Sequence, residues 1–291
     1  MARIVTFVCL SLALVAFIGC GGESAEKAAS HDTPAAGAND PFADLSGTLD
    51  IAGGTAHIPV MEEAAREIMT AHPGINITVA GGGSGVGARK VGEGLVQIGN
   101  TGRPLSEDEI QEYGLVSHPF AVDGVCAVVH PDNPVAELTR AQLQAAFAGE
   151  ISNWRELGGP DRPIHLFTRD EASGTRKVFW KKGLDKGEIS EGANVVASNG
   201  AMKTAVAQDS DALGYVSVGH LDDALKAPRL DGVEVTQANA AAGVYPVTRK
   251  LFMNTKGEPT GLTAAFIAFV QGPRGARIVQ DSGYIPLTAG H

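Results

Sequence analysis

Cysteine, aromatic side chains and positive charge are all scarce in this sequence, and each shortage closes off a class of function. There are three cysteines in 291 residues. Cys9 and Cys20 lie in or directly after an apolar run near the N-terminus, so Cys126 stands alone in the remainder and no internal disulfide can form there. Cys126 sits within Gly124-Val-Cys-Ala-Val-Val129, with no nucleophile motif around it, and reads as an inert core residue. Aromatics are only 5% of the chain, yet apolar residues reach 44%, which supports a sizeable core and is not the composition of a disordered chain. Lys and Arg number 23 against 33 acidic residues, a net charge of −10. That argues against nucleic acid, where binding is driven by basic side chains neutralising phosphates. One small anion is still admissible, because local donors outweigh a diffuse, screened field. Long hydrophobic runs are also missing: Val5 to Ile18 is too short to span a bilayer.

That run follows a short basic segment, Arg3, and has the form of a leader. It ends in Phe17-Ile18-Gly19-Cys20, which resembles a bacterial lipobox, although leucine is preferred where Phe17 stands. The resemblance implies a signal peptide over 1–19, cleavage before Cys20 and lipidation of the Cys20 thiol. Loss of Arg3 would leave 22 basic residues against 33 acidic ones, a net charge of −11. Residues 20–46 read as the lipidated cysteine and a tether. Gly21 to about Ala43 is polar and aperiodic, with a reach of roughly 25–30 Å.

Beyond the tether, strand and helix patterns alternate. Asp50–Ala52 reads as a strand and His57–His72 as a helix, with Ile58, Met61, Ala65, Ile68 and Met69 at helical spacing. Residues 75–80 form a strand, followed by a glycine loop and a short helix. Leu95–Gly99 is a further strand. Ser106 with Glu109, and Thr139 with Gln142, are capping boxes opening helices over 106–114 and 139–147. Residues 115–130 are strand-like with a break at Asp123-Gly124. Ile164–Phe167 and Leu213–Ser217 read as strands, Gly174–Lys182 and Asn199–Gln208 as helices, and Val233–Thr236 as an edge strand. Leu262–Gln280 is an amphipathic helix interrupted at Pro273. This alternation predicts an α/β class with mostly parallel sheets.

The glycine loop is the first functional signal. Gly81-Gly-Gly-Ser-Gly-Val-Gly-Ala-Arg-Lys90 leaves a strand, where proteins often hold phosphate. It is not a P-loop: Gly82 and Gly87 are correctly spaced, but Ala88-Arg89 replace the lysine and hydroxyl that such a loop needs. Gly83-Ser-Gly85-Val-Gly-Ala88 fits a dinucleotide fingerprint, yet no acid follows about twenty residues later, where Thr101-Gly-Arg-Pro104 stands. What remains is a serine-bearing loop opening a helix, whose free N–H groups and dipole form a cradle for a bare anion. Gly53-Gly54-Thr55, Asn100-Thr101-Gly102 and Arg169…Ser173-Gly174-Thr175 offer the same chemistry, with Arg169 adding a planar donor fork.

In order and spacing these segments resemble the phosphate-binding lipoproteins of bacterial ABC transporters, in the type II periplasmic binding protein superfamily. Further matches are Leu138-Thr-Arg-Ala-Gln-Leu…Phe147-Ala-Gly-Glu-Ile-Ser-Asn-Trp154, Ala212–Ser217, Tyr245-Pro-Val-Thr-Arg249 and Gly283-Tyr-Ile-Pro-Leu287. The resemblance covers about residues 47–287. It implies two doubly wound α/β lobes joined by two crossing strands, with the ligand cleft between them. Lobe 1 would hold 47–122 and 244–291, lobe 2 would hold 123–243, and the crossings would lie near Asp123-Gly124 and Gly243-Val244. It implies phosphate contacts from Thr55, Ala56 (by its backbone only), Ser84, Thr101, Gly102, Arg169, Ser173, Gly174 and Thr175, with Glu171 orienting Arg169.

One departure concerns the ligand's proton. Many such binders place a carboxylate in the third loop to accept it, and here Gly102 occupies that position; Gln97 also replaces an acid usual nearby. A carbonyl near Gly102, the Asn100 amide oxygen and Asp123 are alternative acceptors. The expectation is a monomeric, lipid-anchored extracytoplasmic receptor that passes inorganic phosphate to ABC permease subunits, without catalysis, cofactor, metal or nucleic acid. The alternatives are sulfate or arsenate in the same fold, or a phosphate sensor without transport. Trp154 is expected to pack rather than stack on a sugar.

Overall fold

The computed structural model describes residues 40–287. The leader, Cys20 and most of the expected tether lie outside them. The tether ends earlier than residue 46: residues 41–44 form a turn, and Phe42 is buried against Phe269 and His72. Burial of an aromatic ring is enough to fix a short segment to the body of the protein.

In chain order the elements are β1 (Gly47–Gly53), α1 (Ile58–Ala71), β2 (Ile75–Gly82), α2 (Ser84–Gly92), β3 (Ile98–Thr101), α3 (Glu107–Tyr113) and β4 (Leu115–Val129). Then come β5 (Glu137–Leu138), α4 (Arg140–Ala148), β6 (His165–Arg169), α5 (Gly174–Val178), β7 (Asn194–Val196) and α6 (Asn199–Ala207). Last are β8 (Ala212–Ser217), β9 (Arg229–Leu230), α7 (Gln237–Ala241), β10 (Thr248–Lys256), α8 (Gly261–Gln271), α9 (Pro273–Asp281) and β11 (Ile285–Pro286). Both capping boxes form: Ser106 with Glu109, and Thr139 with Gln142. In α1, Val60, Met61, Ala64, Ala65 and Ile68 are buried, an i, i+4 stripe in which each large side chain contributes about 1.5–3 kcal/mol.

The main sheet runs β2-β1-β3-β10-β4-β8-β6-β7, with β11 pairing on β4. Its flanks are parallel and its centre is antiparallel. β1 pairs in parallel with β2 and β3, and β6 pairs in parallel with β7 and β8. Between them β4 and β10 run antiparallel to each other over Leu115–Gly124. β4 then continues, pairing β8 through Val125–Val129. The break expected at Asp123-Gly124 is therefore absent; the strand passes straight through and only changes partner. One apolar cluster gathers residues 42–121 and 251–284, and another gathers residues 125–247. This is a mixed α/β fold with parallel βαβ units on either side of two long central strands.

Other expectations shift. The strand expected over Leu95–Gly99 begins only at Ile98. Val233–Thr236 is not a strand: Val233 makes an isolated bridge to Leu230, and Thr236 caps α7 by accepting from the Asn239 N–H. Pro273 does divide the last helix, into α8 and α9. Among the described residues, no helix is long and apolar enough to cross a membrane.

Candidate anion-binding site

Strand ends bring the loops together. The β1–α1 loop delivers Gly54 to His57, the β2–α2 junction delivers Gly83 and Ser84, and the end of β3 delivers Gly102. From the other half, β6 ends on Arg169, and Ser173, Gly174 and Thr175 open α5. β10 adds Arg249. These residues enclose a cavity of about 10 Å³, close to the smallest volume that admits a water-sized group. It leaves no room for a nucleotide or a sugar. Of the residues expected to form the site, Thr101 alone is turned away from the cavity. Its hydroxyl donates to Arg103 O at 2.8 Å and accepts from Asn254 Nδ2 at 3.0 Å, fixing the loop from behind.

Arg169 is the most unusual group in the wall. It is 2% exposed, and its Nη2 donates to Ala197 O at 2.9 Å. Its Nε and Nη1 are buried with no hydrogen-bond partner among the described residues. Burial pulls its pKa below the ordinary arginine value, although a guanidinium stays protonated. Its backbone N–H donates to Tyr215 Oη at 3.0 Å, and that hydroxyl also bonds Thr168 Oγ1. Glu171 does not orient it. That carboxylate is exposed and lies 3.8 Å from Arg176 instead, because the loop carries it outward into solvent.

Four further residues complete the site. Arg249 lines the cavity, and Asp123 holds it from behind at 2.7 Å. Full burial pushes the Asp123 carboxyl above its usual range, against the pull of Arg249, Ser217 and the Val218 N–H. So Asp123 is engaged on both oxygens and does not face the cavity. Asn199, the first residue of α6, donates to Thr55 Oγ1 at 3.0 Å and Thr175 Oγ1 at 3.3 Å, joining the two halves. His57 is fully buried; burial and then the Arg249 charge lower its pKa to about 3, so the imidazole is neutral. Arg249 belonged to a segment singled out in the sequence, but nothing local marked it as cavity-lining. Asn199 carried only the signal of opening a helix.

The lining thus combines two guanidinium groups, hydroxyls and the first N–H groups of α2 and α5, which lack helical acceptors. A family profile described as the PBP superfamily domain matches residues 29–274. The chain belongs to the PBP superfamily. This PBP superfamily member is 38% identical to the phosphate-binding protein PstS of Bacillus subtilis over 286 residues, spanning 96% of this chain and 93% of that protein. It is 28% identical to PstS of Pseudomonas aeruginosa, with 96% and 94% covered. Among solved structures it is similar to one from Clostridium perfringens, described as a phosphate ABC transporter substrate-binding protein with bound phosphate. That match has a TM-score of 0.79 and 32% identity, covering 83% of this chain and all of that one. The superposition supports the type II periplasmic binding protein fold for this chain as well.

Three groups lie elsewhere in this PBP superfamily member. Cys126 is buried, and burial raises its thiol pKa far above the ordinary value. Trp154 is fully buried, donating from Nε1 to Asp211 O at 2.9 Å. His165, Asp209 and Asp211 cluster with metal-ligand spacing, although Arg162 already pairs with Asp211 at 2.8 Å.

Proposed function

We propose that this protein is an extracytoplasmic receptor that captures inorganic phosphate and hands it to an ABC permease. The observation that carries this reading is the Arg169 guanidinium, buried with two nitrogens unpaired among the described residues, at the wall of a small cavity lined by hydroxyls and a second guanidinium. A buried charge without a partner is costly, and a small oxyanion matches the planar donor fork. The names of its relatives supply the identity of that anion.

The ligand site consists of Thr55, Ala56, Ser84, Gly102, Arg169, Ser173, Gly174 and Thr175, with Arg249 added to the contacts expected from sequence. The two apolar clusters serve as two lobes, and β4 and β10 are the crossings, near Asp123-Gly124 and near Val247-Thr248, a few residues after the Gly243-Val244 expected from sequence. Ligand bridges the lobes and favours the closed form by its differential affinity. The chain is held at a membrane through lipid on Cys20, acts as a monomer and performs no chemistry. In support, the His57 imidazole at the cavity is a weak base, its pKa lowered to about 3 by burial and then the Arg249 charge, and it bonds Gly54 O rather than a lining hydroxyl.

Equilibrium dialysis against inorganic phosphate tests capture, and stimulation of a reconstituted permease ATPase by the loaded receptor tests delivery. Saturable one-site binding with stimulation is expected. Binding without stimulation would leave a sensor rather than a transport receptor.

A further inference from the structure

Away from the cavity, the start of β6 and the turn before β8 gather a histidine and two carboxylates. His165 opens β6, and Asp209 and Asp211 lie in the turn that enters β8. Strand β6 ends on Arg169 at the cavity, so the cluster sits at the other end of that strand, about 13 Å away. His165 Nδ1 lies 2.7 Å from Asp209 Oδ2. One ligand atom from each of the three residues lies within 4.8 Å of the others. Ligand atoms around a tetrahedral zinc ion stand roughly 3.4 Å apart, so shifts of about 1 Å close the set. The side chains of His165 and Asp209 are 46% and 28% exposed, which gives them freedom to move and gives an ion a way in.

Asp211 supplies the independent observation. It is 6% exposed. Its Oδ2 pairs with Arg162 Nη2 at 2.8 Å, but its Oδ1 is buried with no hydrogen-bond partner among the described residues. A buried carboxylate oxygen without a donor is costly, and a cation relieves that cost. The frame around it is already fixed. Asp211 N donates to Asp209 Oδ1 at 2.9 Å. Asp211 O accepts from His165 N and from Trp154 Nε1, each at 2.9 Å. Such bonds hold the residues in place before any ion arrives, as outer hydrogen bonds do around metal ligands.

We propose that His165, Asp209 and Asp211 form a site for a first-row divalent cation, with zinc the best fit, held by the imidazole Nδ1 and one oxygen of each carboxylate, with water completing the coordination. The nitrogen ligand disfavours magnesium and calcium, which take oxygen sets. The ion replaces the hydrogen bond between His165 and Asp209, and the ring hydrogen then resides on Nε2. Arg162 is the competitor: it is 53% exposed, and its charge opposes a cation beside Asp211. Bound there, the ion ties the entry of β6 to the entry of β8, its parallel neighbour. None of this depends on what the anion cavity holds.

Calorimetric titration of zinc chloride into the full chain tests the site, after a chelator has removed metal and partial unfolding and refolding has removed phosphate. One saturable site with Kd roughly in the micromolar range is expected. Zinc at a hundredfold excess over Kd should raise the melting temperature by about 5 °C. His165→Ala and Asp209→Asn, both at partly exposed positions, should each weaken zinc by at least about a hundredfold and remove that rise, since loss of an outer partner alone costs 10–100-fold. Arg162→Gln removes the competing charge and should tighten zinc by about tenfold. Circular dichroism checks that the variants are folded. An ordinary ion-pair network would shift melting equally with and without zinc, which would overturn the proposal. So would the absence of a saturable zinc heat from wild type. Unchanged affinity in His165→Ala would also overturn it, placing the ion elsewhere, as at His130 with Asp132. Weaker zinc binding in Arg162→Gln would contradict the part given to Asp211.

Discussion

Asp123 and Arg249 are register partners on the two long central strands, and Arg249 Nε lies 2.7 Å from Asp123 Oδ2. Their side chains are 0% and 4% exposed. Ser217 Oγ and the Val218 N–H fill the other carboxylate oxygen, while the rest of the guanidinium reaches Gly102 O and Thr175 Oγ1. The pair therefore joins the point where β4 changes partner to the cavity wall. Breaking one side of a buried pair strands the other charge. Asp123→Asn should lower unfolding free energy by about 3–5 kcal/mol, and adding Arg249→Met should recover part of that loss. Urea unfolding of the two variants checks it; a single variant within about 1 kcal/mol of wild type would show that the pair is not needed.

Arg169 should behave in the opposite sense. Without ligand its two unpaired nitrogens stabilise nothing, so Arg169→Gln should leave stability unchanged or raise it slightly. The same change should weaken oxyanion binding by about a hundredfold or more, since a charge-assisted fork contributes several kcal/mol. Thermal melts with and without phosphate separate the two effects. Loss of stability in the ligand-free variant would assign Arg169 a structural role.

Close backbone packing underlies the glycine-rich loop. A Cβ on Gly87 would lie 2.4 Å from Asn100 O and 3.0 Å from Gly53 Cα, whereas one on Gly85 would meet Ala172 no closer than 3.6 Å. Gly87→Ala should cost about 1–3 kcal/mol or more through overpacking. Gly85→Ala, on the same helix, should be neutral or stabilising by up to about 1 kcal/mol. Equal melting temperatures for the two variants would contradict the packing argument.

His57 ties stability to pH. Its folded pKa is about 3 against an ordinary 6.5, so the unfolded chain binds the proton more readily. Its contribution is fully present above the unfolded value. It declines as pH falls below about 6.5, by at most about 1.4 kcal/mol per pH unit, and levels off near the folded value. His220, lowered in pKa by burial and bonded to Thr55 O, acts in the same direction. Urea midpoints of ligand-free wild type and His57→Gln across that range should converge as pH falls. Parallel curves would show that His57 does not titrate on unfolding.

Much of this was legible before any coordinates. Capping boxes, helical stripes and glycine loops are local signals, and they placed α1, α2, α3 and α4 and most of the cavity lining. β10 escaped because Thr-Arg-Lys-Leu-Phe-Met-Asn-Thr-Lys has no clean alternation; it is a central strand whose polar residues are buried by long-range partners such as Asp123. Arg249 and Asn199 were missed as site residues for the same reason. Their roles come from contacts made 126 and 144 residues away in sequence, and no local pattern encodes such contacts. Glu171 shows the converse error: closeness to Arg169 in sequence suggested an ion pair, but the loop turns the carboxylate outward.

The most direct test is isothermal titration of wild type and Arg169→Gln, side by side, with inorganic phosphate at about pH 8, after partial unfolding and refolding to remove bound ligand. A saturable one-site heat for wild type, lost in the variant, is the predicted result. No phosphate heat from a folded wild-type chain, or equal heats from both proteins, would contradict an oxyanion receptor built around Arg169.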